Sequence, residues 1–131
     1  MKTEHKLLPL AKQAALRAYT PYSNFQVGAA ITTAQGETIL GCNVENAAYP
    51  VTLCAERNAI TTAVANGARP GDILEVVIFV DTEEVVSPCG ACRQVMSEFM
   101  SQQANVTSYN RHGDSKTWTV AQLLPDSFTL L

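Results

Sequence analysis

Apolar side chains first recur at helical spacing: Leu7, Leu8, Ala11, Ala14, Ala15 and Ala18 fall on one face and predict a helix over about residues 3–19. Thr20-Pro21-Tyr22-Ser23-Asn24 breaks that period with turn-forming residues. Residues 25–33 and 38–44 then read as strands on either side of the turn Ala34-Gln35-Gly36-Glu37, a hairpin. The Ala-rich stretch 53–66 has no internal Gly or Pro and stops at Gly67, which predicts a second helix with its glycine near the C-cap. Glu75-Val76-Val77-Ile78-Phe79-Val80 has the β-branched density of a buried strand. Pro88 precedes a third helical stretch, 90–102, followed by short strand candidates at 106–109 and 117–120. A helical turn over 120–124 is stopped by Pro125. Helices alternating with strands predict a layered α/β fold with a mixed sheet, in which the hairpin makes at least one pair antiparallel. No repeat, low-complexity tract or Gly/Ser linker interrupts the chain, so residues 1–131 are read as a single domain.

Composition narrows the picture. With 47% apolar and 16% charged residues in 131, the chain is long enough to bury a core without disulfide staples and too apolar to be disordered. No apolar run approaches the roughly 18 residues of a membrane helix. The polar start leads straight into the helical pattern without a signal-type apolar core, so a cytoplasmic protein is expected. A net charge of −3, with nine Lys and Arg, gives no basic footprint for a nucleic-acid polymer and leaves a small neutral substrate open.

The candidate chemistry lies in the cysteines. Of Cys42, Cys54, Cys89 and Cys92, the last two form Pro-Cys-x-x-Cys and Cys54 stands in Cys-Ala-Glu-Arg, each motif opening a predicted helix. Positions i and i+3 at a helix start share a face, and the unpaired N–H groups there favour thiolates. Three thiolates from Cys54, Cys89 and Cys92 leave the fourth position of a tetrahedral Zn²⁺ for water, the arrangement of a catalytic site. Glu56, two residues after Cys54, is placed to take a proton from that water and deliver it to a substrate nitrogen. Three thiolates and Zn²⁺ sum to a charge of −1, which Arg57, and less directly Arg93, would offset. Two other readings fit the cysteines: a redox Cys89–Cys92 pair, and a closed structural zinc that also uses Cys42. The redox motif normally follows an early strand, whereas this one lies late, and Cys42 has no ligand-like spacing to another cysteine.

A His or Cys, one residue, Glu, and a later Pro-Cys-x-x-Cys together are the known signature of zinc deaminases. The chain resembles the small homotetrameric cytidine deaminases with three cysteine ligands over nearly its whole length. The resemblance runs through Tyr22-Ser23-Asn24-Phe25-Gln26-Val27-Gly28-Ala29-Ala30, Gly41-Cys42-Asn43-Val44-Glu45-Asn46-Ala47, Cys54-Ala55-Glu56-Arg57, Val86-Ser87-Pro88-Cys89-Gly90-Ala91-Cys92-Arg93-Gln94 and the tail Leu123-Leu124-Pro125 with Phe128. It implies a three-layer α/β/α fold with a five-stranded mixed sheet, one Zn²⁺ per subunit on Cys54, Cys89 and Cys92, and Glu56 as proton shuttle. It further implies Asn43 and Glu45 on the ribose hydroxyls and Phe25 against the nucleoside. The Ala55 N–H would meet the pyrimidine carbonyl, the Ser87 carbonyl the exocyclic amine, and Phe128 would stack in a neighbouring subunit's site. The implied reaction is hydrolysis of cytidine and 2′-deoxycytidine to uridine, 2′-deoxyuridine and ammonia in pyrimidine salvage. Deamination of a cytosine-containing antibiotic, or a non-catalytic zinc module, are the other readings of the same residues.

Overall fold

Five strands form one sheet in the computed structural model, which describes residues 3–130: β1 (Val27–Thr33), β2 (Thr38–Cys42), β3 (Ile73–Val80), β4 (Met100–Tyr109) and β5 (Ser115–Thr119). Their order is β2-β1-β3-β4-β5, antiparallel except for β3 and β4. A parallel pair needs a long crossover. Here residues 81–99 supply it, a loop followed by helix α3 (Gly90–Phe99).

The side-chain alternation of the strands sorts the remaining helices onto two faces. Ala29, Ile31, Val76 and Ile78 point into a core shared with α2 (Ala55–Ala65), α3 and α4 (Val120–Leu123). Ala30 and Val77 point the other way, onto Leu8 and Ala11 of α1 (Leu8–Ala15). The result is the expected α/β/α sandwich around a five-stranded mixed sheet. Two glycines let helix backbones rest directly on strands: a Cβ at Gly28 would lie 1.9 Å from the Ala11 carbonyl oxygen, and one at Gly41 2.4 Å from that of Ala55. The second contact seats the first turn of α2 on β2. Among the described residues no helix is long and apolar enough to cross a membrane.

Four elements, α1, α3, β4 and β5, differ most from the sequence reading. Helix α1 covers Leu8–Ala15 rather than 3–19, with Pro9 in its first turn, where a missing N–H costs nothing. Upstream, Leu8 N–H closes a turn on the His5 carbonyl at 3.0 Å, and downstream Tyr19 leaves to bridge Val44. Helix α3 ends at Phe99, and Met100 already pairs with Ile73. Long-range pairing with β3 thus takes residues that local pattern assigns to the helix and makes β4 longer than 106–109. The last strand is Ser115–Thr119, after which Thr119 and Gln122 form a reciprocal capping box that starts α4.

Candidate active site

Two helices begin at cysteines. Cys54 is the N-cap of α2 and Cys89 the N-cap of α3, both extended in backbone, with Cys92 one turn into α3. Neither N-cap sulfur caps a backbone N–H of its helix, and each sits at the positive end of a helix dipole. The sulfurs of Cys54, Cys89 and Cys92 lie within 4.8 Å of one another, and Cys54 Sγ is 3.7 Å from Cys89 Sγ. A Zn–S bond of about 2.3 Å at tetrahedral angles requires sulfurs about 3.8 Å apart, so the cluster fits a zinc ion. Cys42 lies outside this cluster, in β2. Three thiols that could hold the metal are therefore gathered, and among the described residues no fourth joins them.

The charge distribution matches that use. A hydrogen bond from the Cys92 thiol, supported by Arg57 and Cys89, pulls the Cys54 thiol down to about 5. The same hydrogen bond, together with complete burial, pushes the Cys92 thiol up. Arg57 Nη2 donates to Cys54 Sγ at 3.3 Å, and that contact raises the pKa of the guanidinium. Arg57 is thus in direct contact with one sulfur of the cluster. Glu56, in the first turn of α2, is only 5% exposed. Burial pushes its carboxyl above the usual carboxylate range, its own backbone N–H pulls against the rise, and the charge of Cys54 adds to it.

The pocket above these groups has a volume of about 310 Å³ and receives a second set of residues from the strand side. Val44 and Leu53 exchange backbone hydrogen bonds, 2.9 Å each way, which closes the excursion between them and lays Asn43 and Glu45 beside Cys54. Phe25, Asn43, Glu45, Ala55 and Ser87 all line the cavity together with Cys54, Glu56 and Cys89. Asn43 is buried; its Oδ1 accepts from Val27 N–H at 2.9 Å and its Nδ2 donates to the Phe25 carbonyl at 2.7 Å. Glu45 accepts from the backbone N–H groups of Tyr22 and Ser23, at 3.0 and 3.2 Å, and from the Ser23 hydroxyl. Those bonds, the hydroxyl first, hold the Glu45 carboxyl below the ordinary range. Phe128 is 67% exposed and does not line the pocket of its own chain.

Residue types and spacing did not single out Ser23, whose hydroxyl links the Phe25 N–H to Glu45, nor Thr52 and Val86 in the wall. Asn24, at φ 57°, makes the bend that presents Ser23 and Phe25 on the same side. Its identity suits that bend, since Asn tolerates the left-handed region. Arg93 also behaves differently from Arg57: its guanidinium is committed to oxygens of residues 87, 88 and 123 rather than to sulfur.

Over residues 1–108 the chain matches the family described as the cytidine and deoxycytidylate deaminase zinc-binding region. A curated cytidine deaminase from Sporosarcina psychrophila is 49% identical over 124 residues, 95% of this chain and 90% of that protein. One from Halalkalibacterium halodurans is 46% identical over 123 residues, covering 94% and 92%. The crystal structure of cytidine deaminase from Burkholderia pseudomallei superposes with a TM-score of 0.91 at 46% identity, over 97% of this chain and 100% of that one.

Proposed function

The chain belongs to the cytidine deaminase family of zinc enzymes, and from that premise we propose how its own residues divide the hydrolysis of cytidine and 2′-deoxycytidine to the uridine nucleosides and ammonia. The observation that carries the reading is the convergence of the sulfurs of Cys54, Cys89 and Cys92, with Cys54, Cys89 and a buried Glu56 lining one nucleoside-sized pocket. Cys54, Cys89 and Cys92 hold the zinc, one ion per subunit. Bound there, it supplies Lewis-acid activation of the water that adds to C4 of the base. Glu56 moves the protons. It takes one from the incoming water and places it on N3. It then passes the remaining hydroxyl proton to the C4 amine, which leaves as ammonia while the C4 carbonyl of uridine forms. A carboxyl that burial keeps easily protonated suits both transfers. Arg57 offsets the thiolate charge.

Orientation falls to the other residues. Ala55 offers a first-turn N–H that the helix itself does not use, for the pyrimidine carbonyl. Ser87 offers its carbonyl to the exocyclic amine. Asn43 and Glu45 take the sugar hydroxyls, and Phe25 packs on the nucleoside. Residues 1–131 form one catalytic domain, which assembles as a homotetramer in the cytoplasm and serves pyrimidine salvage. The tetramer is supported by exposed Tyr22, Tyr49 and Val51 near the pocket mouth, and by Phe128, available to stack in a neighbour's site. An acidic chain with a pocket of about 310 Å³ suits a free nucleoside rather than a nucleic-acid strand. The test is the loss of cytidine absorbance with zinc-loaded and chelator-treated protein. Turnover with zinc and none after chelation is expected; equal rates, or no turnover by the loaded protein, would overturn the reading.

A further inference from the structure

The pocket wall that carries Ser87 lacks the supports of the other walls. Residues 85–88 belong to no helix or strand, and among the described residues they make no backbone–backbone hydrogen bond. A segment without a ladder or helix bonds opens easily and places its carbonyls poorly. Arg93 supplies the missing support. Its Nε donates to the Pro88 carbonyl at 2.7 Å, its Nη2 to Ser87 Oγ at 3.0 Å, and its Nη1 to the Leu123 carbonyl at 2.9 Å. One planar fork therefore ties the wall to its own helix α3 and to the end of α4, just ahead of the tail that carries Phe128. The Leu123 carbonyl is one of the helix-end acceptors that need an outside donor. The charge on the donor strengthens all three bonds.

We propose that Arg93 is a positioning residue for deamination: by fixing residues 87 and 88 it aims the Ser87 carbonyl at the amine to be removed. The inference rests on the role given above to Ser87, and it assigns to Arg93 a task distinct from that of Arg57. Arg57 answers the charge of the sulfur cluster, whereas every bond of Arg93 goes to oxygen. Lysine cannot replace it, because a single ammonium does not reach three acceptors in one plane.

The consequence is selective. Cytidine donates an amine hydrogen to the Ser87 carbonyl, but uridine presents its own carbonyl at that place and draws nothing from the contact. Loosening the wall must weaken use of cytidine without weakening binding of uridine. The experiment compares wild type, Arg93→Ala and Arg93→Lys by zinc content, cytidine kinetics and inhibition by uridine. Arg93→Ala is expected to keep its zinc, to lose on the order of 10²-fold in kcat/KM for cytidine, and to hold uridine within about threefold of wild type or more tightly. Arg93→Lys, which keeps the charge, is expected to fall about tenfold with the same selectivity, and it carries the comparison should the alanine chain not fold. Cytidine kinetics within about twofold of wild type, an equal loss of uridine affinity, or loss of zinc would each overturn the assignment. A wild-type protein inactive on cytidine would instead sink the proposed function, and this inference with it.

Discussion

The floor of the pocket and its strand-side rim are built on different principles. The floor and the groups next to it come from two helix starts: Cys54 and Glu56 line the pocket from the start of α2 and Cys89 from that of α3, with Arg57 and Cys92 close to their sulfurs and Glu56 and Cys92 almost wholly buried. Its geometry is carried by helix backbones pressed onto the sheet, as at Gly41 against Ala55. The rim comes from loops. Ser23, Phe25 and Glu45 lie outside regular structure and are held by side-chain bonds to one another's backbone. A rigid floor suits chemistry, where placing a reacting group to within a fraction of an ångström decides the rate. An adaptable rim suits binding, where a sugar is gripped and released. Damage to the floor should therefore appear in kcat and damage to the rim in KM.

The largest effect is expected from Glu56→Gln, which keeps the shape and removes the proton carrier: kcat should fall by at least about 10²- to 10⁴-fold with zinc content unchanged. Retained turnover in the metal-loaded variant would break the floor's side of the comparison. Cys89→Ser should abolish zinc binding and activity together, read by metal analysis. On the rim, Ser23→Ala removes the hydroxyl between Phe25 and Glu45, an interaction of about 0.5–1.5 kcal/mol, and so should raise KM roughly 2- to 10-fold with kcat little changed. Equal loss in kcat would erase the distinction. Asn43→Ala sharpens it from the other side. This buried amide satisfies the Val27 N–H and the Phe25 carbonyl, so its loss should cost about 1–3 kcal/mol of stability in denaturant unfolding as well as raising KM.

The smallest effect lies away from both regions and serves as a control. The His112 hydrogen bond first, then its charge and Arg111, hold the Glu83 carboxyl below the ordinary range. A depressed carboxylate stabilises the fold fully above its unfolded value of about 4.3 and ceases to as pH falls through its folded value. Glu83→Gln should therefore lower Tm slightly in near-neutral buffer, with the difference closing in strong acid and kcat unchanged throughout.

The floor was legible in the sequence because its information is local. Cys54 with Glu56, and Cys89 with Cys92, sit at spacings that one helical turn converts directly into a shared face. Asn43 and Glu45, by contrast, were reached only through the resemblance, for both lie past the end of β2. What escaped depended on partners far along the chain. Nothing near Ser23 signals that Glu45 will meet it, and nothing near Pro88 signals that Arg93 and Leu123 will bracket the wall. The start of β4 at Met100 was hidden for the same reason: its strand state comes from Ile73, not from its own neighbours. The brevity of α1 was partly readable, since Pro9 suits only a first turn. The boundary of α4 was fully so, through the Thr119–Gln122 capping pair.

X-ray absorption at the zinc edge of the loaded protein tests the floor most directly. Three sulfur neighbours at about 2.3 Å and one oxygen or nitrogen at about 2.0 Å are predicted. Four sulfurs would mean that Cys42 or another thiol closes the site, and a shell without sulfur would mean that the cysteine cluster is not where the metal binds.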